Sequence, residues 1–439
     1  MSPLAIALGS LALMLVLIYA GVHVAVVLGL LSFFGVWLIR GDVEVAANLL
    51  AQAASDAIAS HIFGVVPLFV LMGFLVAVAD VGKDAFEVAD RLFRRLRGGL
   101  GVATVAANAV FAAITGISIA SAAVFTRVAV PEMLRFGYQP RFAVGVVAGS
   151  SVLGMLIPPS LLMILYGFLS NQSVGDLFTA GIVPGLVLAM AFSLGIVAMA
   201  VFSPRRVYAE HREDVAARPM GAAEMVVKLA PSALLIALCL GGIYAGVFTA
   251  TEAGAVGAAG ALAIAIARRR LDWSRFRQVL IETGHVTVSV SFLIIAANIY
   301  TRMLAMSGTP QFLVESLTRA GLGVGAFMTV YVALILLLGT IIDSSSILLI
   351  VLPLMLPVAE SFGLNLIWFG VVTVVAVEIG LLTPPFGLSV YVIKSTLDDP
   401  RIGLGDIFRG TAPFTAIMFV VLLLLIAFPQ LSLVLLSGG

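Results

Sequence analysis

Apolar stretches of membrane-spanning length follow one another along the chain. They lie near residues 3–20, 22–39, 62–79, 182–202, 229–246, 248–267, 284–301 and 412–430. Each is close to the roughly 20 residues that a helix needs to cross a bilayer. Two further apolar stretches are interrupted by paired prolines: 142–170 contains Gly154-Met-Leu-Ile-Pro-Pro-Ser160, and 366–395 contains Gly380-Leu-Leu-Thr-Pro-Pro-Phe386. As one straight helix the first would be roughly 43 Å long, more than the hydrocarbon core is thick. A helical proline lacks a donor and clashes with the carbonyl four residues back. The pairs therefore free the carbonyls of Gly154 and Met155, and of Gly380 and Leu381. In a bilayer such carbonyls need protein, water or an ion. The pattern predicts two broken helices. Residues 100–130 and 325–356 are also apolar, but small polar tips divide them, Ile114-Thr-Gly-Ile-Ser118 and Asp343-Ser-Ser-Ser346. Arms of about 14 residues in the first are too short to span, so both stretches read as re-entrant hairpins.

The remaining stretches are more polar. Residues 41–60 carry Asp42, Glu44, Gln52 and Asp56. In 80–97, Phe86, Ala89, Leu92, Phe93 and Leu96 recur at helical spacing among charges, which predicts a helix lying on the membrane surface. A second surface helix is expected near 310–320, and a polar linker runs from Ser203 to Pro219.

The pattern repeats. Tyr-Ala-Gly-Val occurs at 19–22 and at 244–247, and at an offset of 226 Gly82 matches Gly308, Phe86 matches Phe312, Pro131 matches Pro357 and Gly137 matches Gly363. Both glycine–proline breaks keep that offset. Matched broken helices in two halves point to the ion and substrate site of a secondary transporter. The expected fold is an all-α polytopic membrane protein. Its first repeat covers 1–203, a cytoplasmic linker 204–228 and its second repeat 229–439.

Composition supports the membrane assignment. The chain of 439 residues is 62% hydrophobic and 11% charged, far from soluble domains. Net charge is +1, which removes an electrostatic case for nucleic-acid binding. The single Cys239 excludes a disulfide frame. His23, His61 and His285 have no metal-ligand spacing. No basic segment precedes residues 3–20, so they read as a retained span and not a signal peptide. With the N-terminus outside, 21 of the 24 basic residues fall on the cytoplasmic side, and only Arg40, Arg302 and Arg319 do not. The positive-inside rule selects that orientation. It makes the repeats inverted and puts both termini in the periplasm.

The tips and breaks carry the candidate chemistry. The first site is assigned Thr115, Gly116, Ser118, Gly154, Met155, Ile157 and Pro159, with Ser121 nearby. The second is assigned Asp343, Ser344, Gly380, Leu381 and Thr383, with Ser346 nearby. Hydroxyl and carbonyl oxygens of low charge suit Na⁺ better than Mg²⁺ or a transition metal. Half-helices starting at Ser118, Ser160, Ser344 and Phe386 aim N-termini inward, which suits an anion. Ser160, Ser345 and Arg302 are assigned to the substrate. Each serine can equally act as a helix cap. Asp343 completes a Na⁺ site, lines the substrate path or caps the hairpin. Arg302 attracts an entering anion or anchors its span at the interface. Glu252 and Glu378, set in apolar runs, offer a rival proton-coupled scheme, or bond to backbone amides at helix breaks.

Four segments together resemble the large membrane subunit of tripartite ATP-independent periplasmic (TRAP) transporters, the DctM-like family. They are Leu338-Gly-Thr-Ile-Ile-Asp343, Glu378-Ile-Gly-Leu-Leu-Thr-Pro-Pro385, Gly154-Met-Leu-Ile-Pro-Pro-Ser160 and Thr249-Ala-Thr-Glu-Ala253. The resemblance covers essentially the whole chain. It implies an elevator-type secondary transporter in a bacterial or archaeal cytoplasmic membrane, driven by Na⁺ and with no other cofactor. It also implies two partners: a small four-helix membrane subunit, not fused here, and a periplasmic binding protein that delivers an organic acid anion such as a C4-dicarboxylate or sialic acid. The chain departs from the family at Ile117, where many relatives have a small hydroxyl residue, and at Ala250, where proline is common. The alternative is a stand-alone Na⁺/carboxylate symporter of the same architecture. An intramembrane hydrolase built on Ser389 is disfavoured, because no GxSxG or HExxH is present. A channel is disfavoured because nothing resembles a carbonyl-ring filter.

Overall fold

The computed structural model describes residues 2–59, 64–209, 220–385, 387–397 and 399–436. His61, Phe386 and most of the polar linker, all part of the sequence reading, lie outside the described residues. The architecture is helical, and the described residues contain only an isolated bridge, Tyr138 to Tyr208, of β type. By length and composition, seven helices among the described residues can cross a membrane, or eight if one bent pair is a single span.

The chain opens with α1 (Pro3–Tyr19), where the Ser2 hydroxyl accepts from the Ala5 amide at 3.2 Å. Next come α2 (Val24–Arg40), α3 (Val43–Ala59) and α4 (Val65–Val78). Most of the polar stretch 41–60 is thus a helix, started by Asp42, whose carboxylate accepts from the Glu44 amide at 2.7 Å. Helix α5 (Val81–Phe93) turns 61° from α4 at Asp80, which sits at φ 57°. Its apolar face is buried against protein over part of its length. Val81, Ala85, Phe86, Val88 and Ala89 are buried, whereas Leu92 and Leu96 are exposed. The helix packs on protein, namely α6 (Gly99–Thr115) and α7 (Ser118–Arg135).

The first broken helix is α8 (Pro140–Ser151), α9 (Leu153–Leu156) and α10 (Leu161–Ser170). Helix α11 (Val174–Phe202) and the short α12 (Pro204–Val207) lead to the linker. Then α13 (Ala222–Ile236), a π-helical turn over Ala237–Gly241 and α14 (Gly242–Tyr244) form one segment. Helix α13 begins inside the stretch assigned to the linker. Helix α15 (Ala250–Ala267) is followed by α16 (Trp273–Ser307). The span predicted over 284–301 is therefore the middle of a 35-residue helix, capped by the Asp272 carboxylate on the Arg275 amide at 2.8 Å. At the offset of 226 this helix falls on α3 and α4 together. Pro67, in the first turn of α4, has no amide to donate back along a helix. Its counterpart in the second half is Leu293, which has one, and α16 runs on unbroken.

The chain closes with α17 (Thr309–Arg319), α18 (Val324–Gly339), α19 (Ser344–Ser361), α20 (Leu366–Leu382), α21 (Leu388–Thr396), α22 (Leu404–Ala427) and α23 (Gln430–Leu433). Helices α8 and α20 sit deepest: Phe142–Ser151 and Trp368–Leu382 are buried without interruption. Helices that are apolar all round belong at the centre. Around them pack α6, α7, α11, α18, α19 and α22, while α1–α4 gather against α15 and α16. Ion pairs tie α5 and its entry to the second half: Arg268 to Asp84 at 2.5 Å, Arg270 to Asp80 at 3.3 Å, and Lys228 to Glu87.

Candidate functional site

The first hairpin turns in two residues. Gly116 takes the left-handed conformation at φ 67°, Ile117 is extended, and Ser118 begins α7. Across from it, the Pro158-Pro159 pair follows α9 and leaves Ser160 to cap α10. The tip docks on the break through the backbone. The Leu161 amide, the first free donor of α10, donates to the Gly116 carbonyl at 3.1 Å. A Cβ on Gly116 would strike the Pro159 carbonyl, and one on Gly154 would stand 3.0 Å from the Ile117 carbonyl. On the other side Gly73 of α4 brings backbone against Thr115, where an added Cβ would meet the carbonyl oxygen at 3.1 Å. Thr115, Gly116, Ser118, Gly154 and Pro159 therefore come together. A cavity of about 10 Å³ is lined here by Thr115, Gly116, Ile117, Pro159 and Ser160. That is about the space one water occupies, and Phe69, Val70, Leu161 and Ile164 complete a mostly apolar lining.

The hydroxyls at this junction are partly committed. Thr115 donates to the Phe111 carbonyl at 3.0 Å. Ser160 donates to the Met155 carbonyl and accepts from the Met163 amide at 3.2 Å. The carbonyl that the prolines deprive of its helical donor thus regains one from a side chain, and Ser160 serves as a cap. Ile157 is extended at φ −76° and ψ 125°, and its amide still donates to the Leu153 carbonyl at 2.8 Å.

The second junction is built differently. The amide and hydroxyl of Thr383 donate to the carbonyls of Gly380 and Ile379, at 3.0 and 2.8 Å. Gly380 meets the first arm of the second hairpin directly, for a Cβ on Gly339 would lie 2.6 Å from the Gly380 Cα. Gly339 belongs to one of the segments quoted above but is assigned to no site there. Its one signal is its place at the end of the arm before the tip. Asp343 caps α19, accepting from the Ser346 amide at 3.1 Å and the Ser346 hydroxyl at 2.5 Å. Ser344 and Ser345 are buried beside it. No hydrogen bond among the described residues joins Asp343 to Thr383 or Leu381. The half-helix expected from Phe386 begins at Leu388.

The two halves meet at Glu378. Its Oε1 lies 3.5 Å from the Ser118 hydroxyl of the first tip, and its buried Oε2 has no hydrogen-bond partner among the described residues. Ser121 and Ser389 also carry buried hydroxyls without one among those residues, and their helices α7 and α21 pack together. Glu252 behaves otherwise. It closes a capping box, accepting from the Thr249 amide at 2.8 Å. Arg302 is held on α16 by Asp56 of α3 at 2.6 Å. A larger cavity of about 890 Å³ lies between Val65, Gln172–Thr179 and Ile243–Thr251 and touches neither proline pair. Its carboxylate, Asp176, makes it a poor seat for an anion.

The model of the DctM component of tripartite ATP-independent periplasmic transporters matches residues 11–431. The chain is 34% identical over 371 residues to the C4-dicarboxylate TRAP transporter large permease protein DctM of Pseudomonas aeruginosa, covering 84% of this chain and 85% of the relative. It is 31% identical over 395 residues to the sialic acid TRAP transporter large permease protein SiaM of Vibrio cholerae, covering 88% and 89%. In fold it is similar to the YdaH transporter of Alcanivorax borkumensis, with a TM-score of 0.60 at 14% identity over 98% of each chain.

Proposed function

We infer the function from one premise: this chain belongs to the DctM-component family of tripartite ATP-independent periplasmic transporters. Its relatives are transporter permease subunits and not enzymes. On that basis the chain is the large permease subunit of a Na⁺-coupled secondary transporter in the inner membrane. It imports an organic acid anion, a C4-dicarboxylate or sialic acid being the classes for which relatives are named. A small membrane subunit and a periplasmic binding protein complete the system.

The observation that carries the reading is the pair of backbone junctions, Gly116 on Pro159 and Gly339 on Gly380. Each brings a hairpin against a proline-broken helix, where carbonyl and hydroxyl oxygens are concentrated in an apolar surround. Such a place favours a weakly hydrated monovalent cation over a more strongly hydrated divalent one. The hairpins and broken helices then move together as one unit against α1, α2, α13 and α15. The test is reconstitution in proteoliposomes with the two partner proteins and a panel of organic acids. Uptake is expected only with an inward Na⁺ gradient and both partners present. Uptake without the partners would identify a stand-alone symporter. Uptake persisting with K⁺ in place of Na⁺ under a proton gradient would overturn Na⁺ coupling and transfer that role to Glu378.

A further inference from the structure

A second cavity, of about 390 Å³, opens where α8, α11, α12 and α22 end on the arginine-rich side of the protein. Arg141, Arg205, Arg206 and Arg409 line it, drawn from α8, α12 and α22, and Phe142 and Phe414 form an apolar floor. Those two rings lie 6.5 Å apart, centroid to centroid. The nearby carboxylate, Asp406, is already engaged: it pairs with Arg141 at 2.7 Å and accepts from the Gly403 amide at 3.1 Å. Arg409 shares Asp406 with Arg141, and Arg205 and Arg206 have no ion pair within 4.0 Å among the described residues. The cleft therefore carries more positive than negative charge.

The backbone that carries Arg205 and Arg206 is held in place by the fold. Helix α12 is stitched to the turn between α7 and α8: the Gln139 amide donates to the Val207 carbonyl at 2.9 Å, and the Ala209 amide to the Gly137 carbonyl at 2.8 Å. Val207 between them is fully buried. Two adjacent arginines on a short helix pinned at its C-terminal end therefore share the cleft with the start of α22.

We propose that this cleft binds the headgroup of an anionic phospholipid. The arginines supply bidentate donors to phosphate oxygens, and basic pockets between helices at a membrane surface hold such headgroups. The neighbouring surface identifies the source of the phosphate as lipid. Phe419, Val420 and Leu423 are exposed along α22. Val420 lies within about 20° of Arg409 and Pro413 around that helix, so this face leads to the cleft and an acyl chain can lie along it while its phosphate reaches the arginines. A free phosphate would leave the apolar floor and this face without a role.

The test measures spin-labelled phosphatidylglycerol against phosphatidylcholine on the full chain in nanodiscs, for wild type, Arg409→Gln and Arg205→Gln/Arg206→Gln/Arg409→Gln. Wild type should prefer the anionic lipid. Arg409→Gln should weaken that preference roughly five-fold, and the triple variant on the order of 100-fold, following the usual worth of each basic residue at an anionic surface. Inorganic phosphate at millimolar concentration should displace little of the lipid. The single variant keeps the test decisive if the triple one fails to fold. Equal association of the two lipids with wild type, or an unchanged preference in Arg409→Gln, would overturn the proposal. Full displacement by inorganic phosphate would overturn it too and assign the cleft to a soluble anion.

Discussion

Replacing Gly116 by alanine tests how the first tip and its partner break depend on each other. Two costs arise. The residue sits at φ 67°, and a residue with a Cβ is destabilised there by roughly 1–2 kcal/mol. The new methyl also meets the Pro159 carbonyl and has only backbone to displace. Overpacking of this kind costs roughly 1–3 kcal/mol. Only the second cost falls on docking, because the φ belongs to the turn itself whether or not it is docked. Because about 1.4 kcal/mol is a factor of ten, the docked state becomes at least ~5-fold rarer relative to undocked ones. Apparent affinity for a ligand that needs the docked state falls by the same factor. The assay is the Na⁺ concentration dependence of uptake in proteoliposomes carrying the complete transporter. Gly363→Ala supplies the control: it has the same φ of 67° but open space around the added methyl. It should lose roughly 1–2 kcal/mol of stability and keep its Na⁺ dependence. If Gly116→Ala also keeps a wild-type Na⁺ dependence, the docked tip is not what binds the ion.

Asp343→Ala should abolish or strongly reduce uptake while the protein still inserts, and unchanged uptake with unchanged Na⁺ dependence would leave Asp343 as the cap of α19 alone. Gly380→Ala would place a methyl 2.7 Å from the Gly339 Cα; forcing α18 and α20 apart should cost roughly 1–3 kcal/mol and raise the Na⁺ concentration needed for half-maximal uptake. An unchanged half-maximal concentration would separate that junction from ion binding. In a Cys239→Ser background, paired cysteines between the α6–α7 hairpin and α2 or α15 should form one crosslinked set in the inward state and another in the outward state, each blocking transport. A single fully crosslinked set with undiminished uptake would rule out sliding of the hairpin unit.

The breaks and tips are legible in the sequence because they rest on covalent facts. A proline pair in an apolar run ends a helix wherever it lies, and Gly116 and Asp343 sit at the turns their residue types favour. The matched spacing of the two halves fixes their order. Helix continuity is harder to read. Apolarity alone does not distinguish a span that stops from one that runs on, so α16 extends well beyond 284–301, and α3 is visible only as a less apolar stretch. What covers the face of α5 is not legible, because the spacing of Phe86, Ala89 and Leu92 fits protein or lipid equally. Packing on α6 selects Phe86 and Ala89 and leaves Leu92 outside. Contacts between distant residues are out of reach: nothing local announces that Gly339 will meet Gly380, that Ser118 will face Glu378, or that Ser160 will donate to the Met155 carbonyl.

The most direct test of Na⁺ binding at the hairpin-on-break junctions is equilibrium binding of radiolabelled Na⁺ to the purified chain in nanodiscs. It would compare wild type, Gly116→Ala, Gly380→Ala and the double variant. Binding should be saturable in wild type, weaken in each single variant and be lost in the double variant. Wild-type binding that is not saturable, or binding that survives intact in the double variant, would contradict that reading.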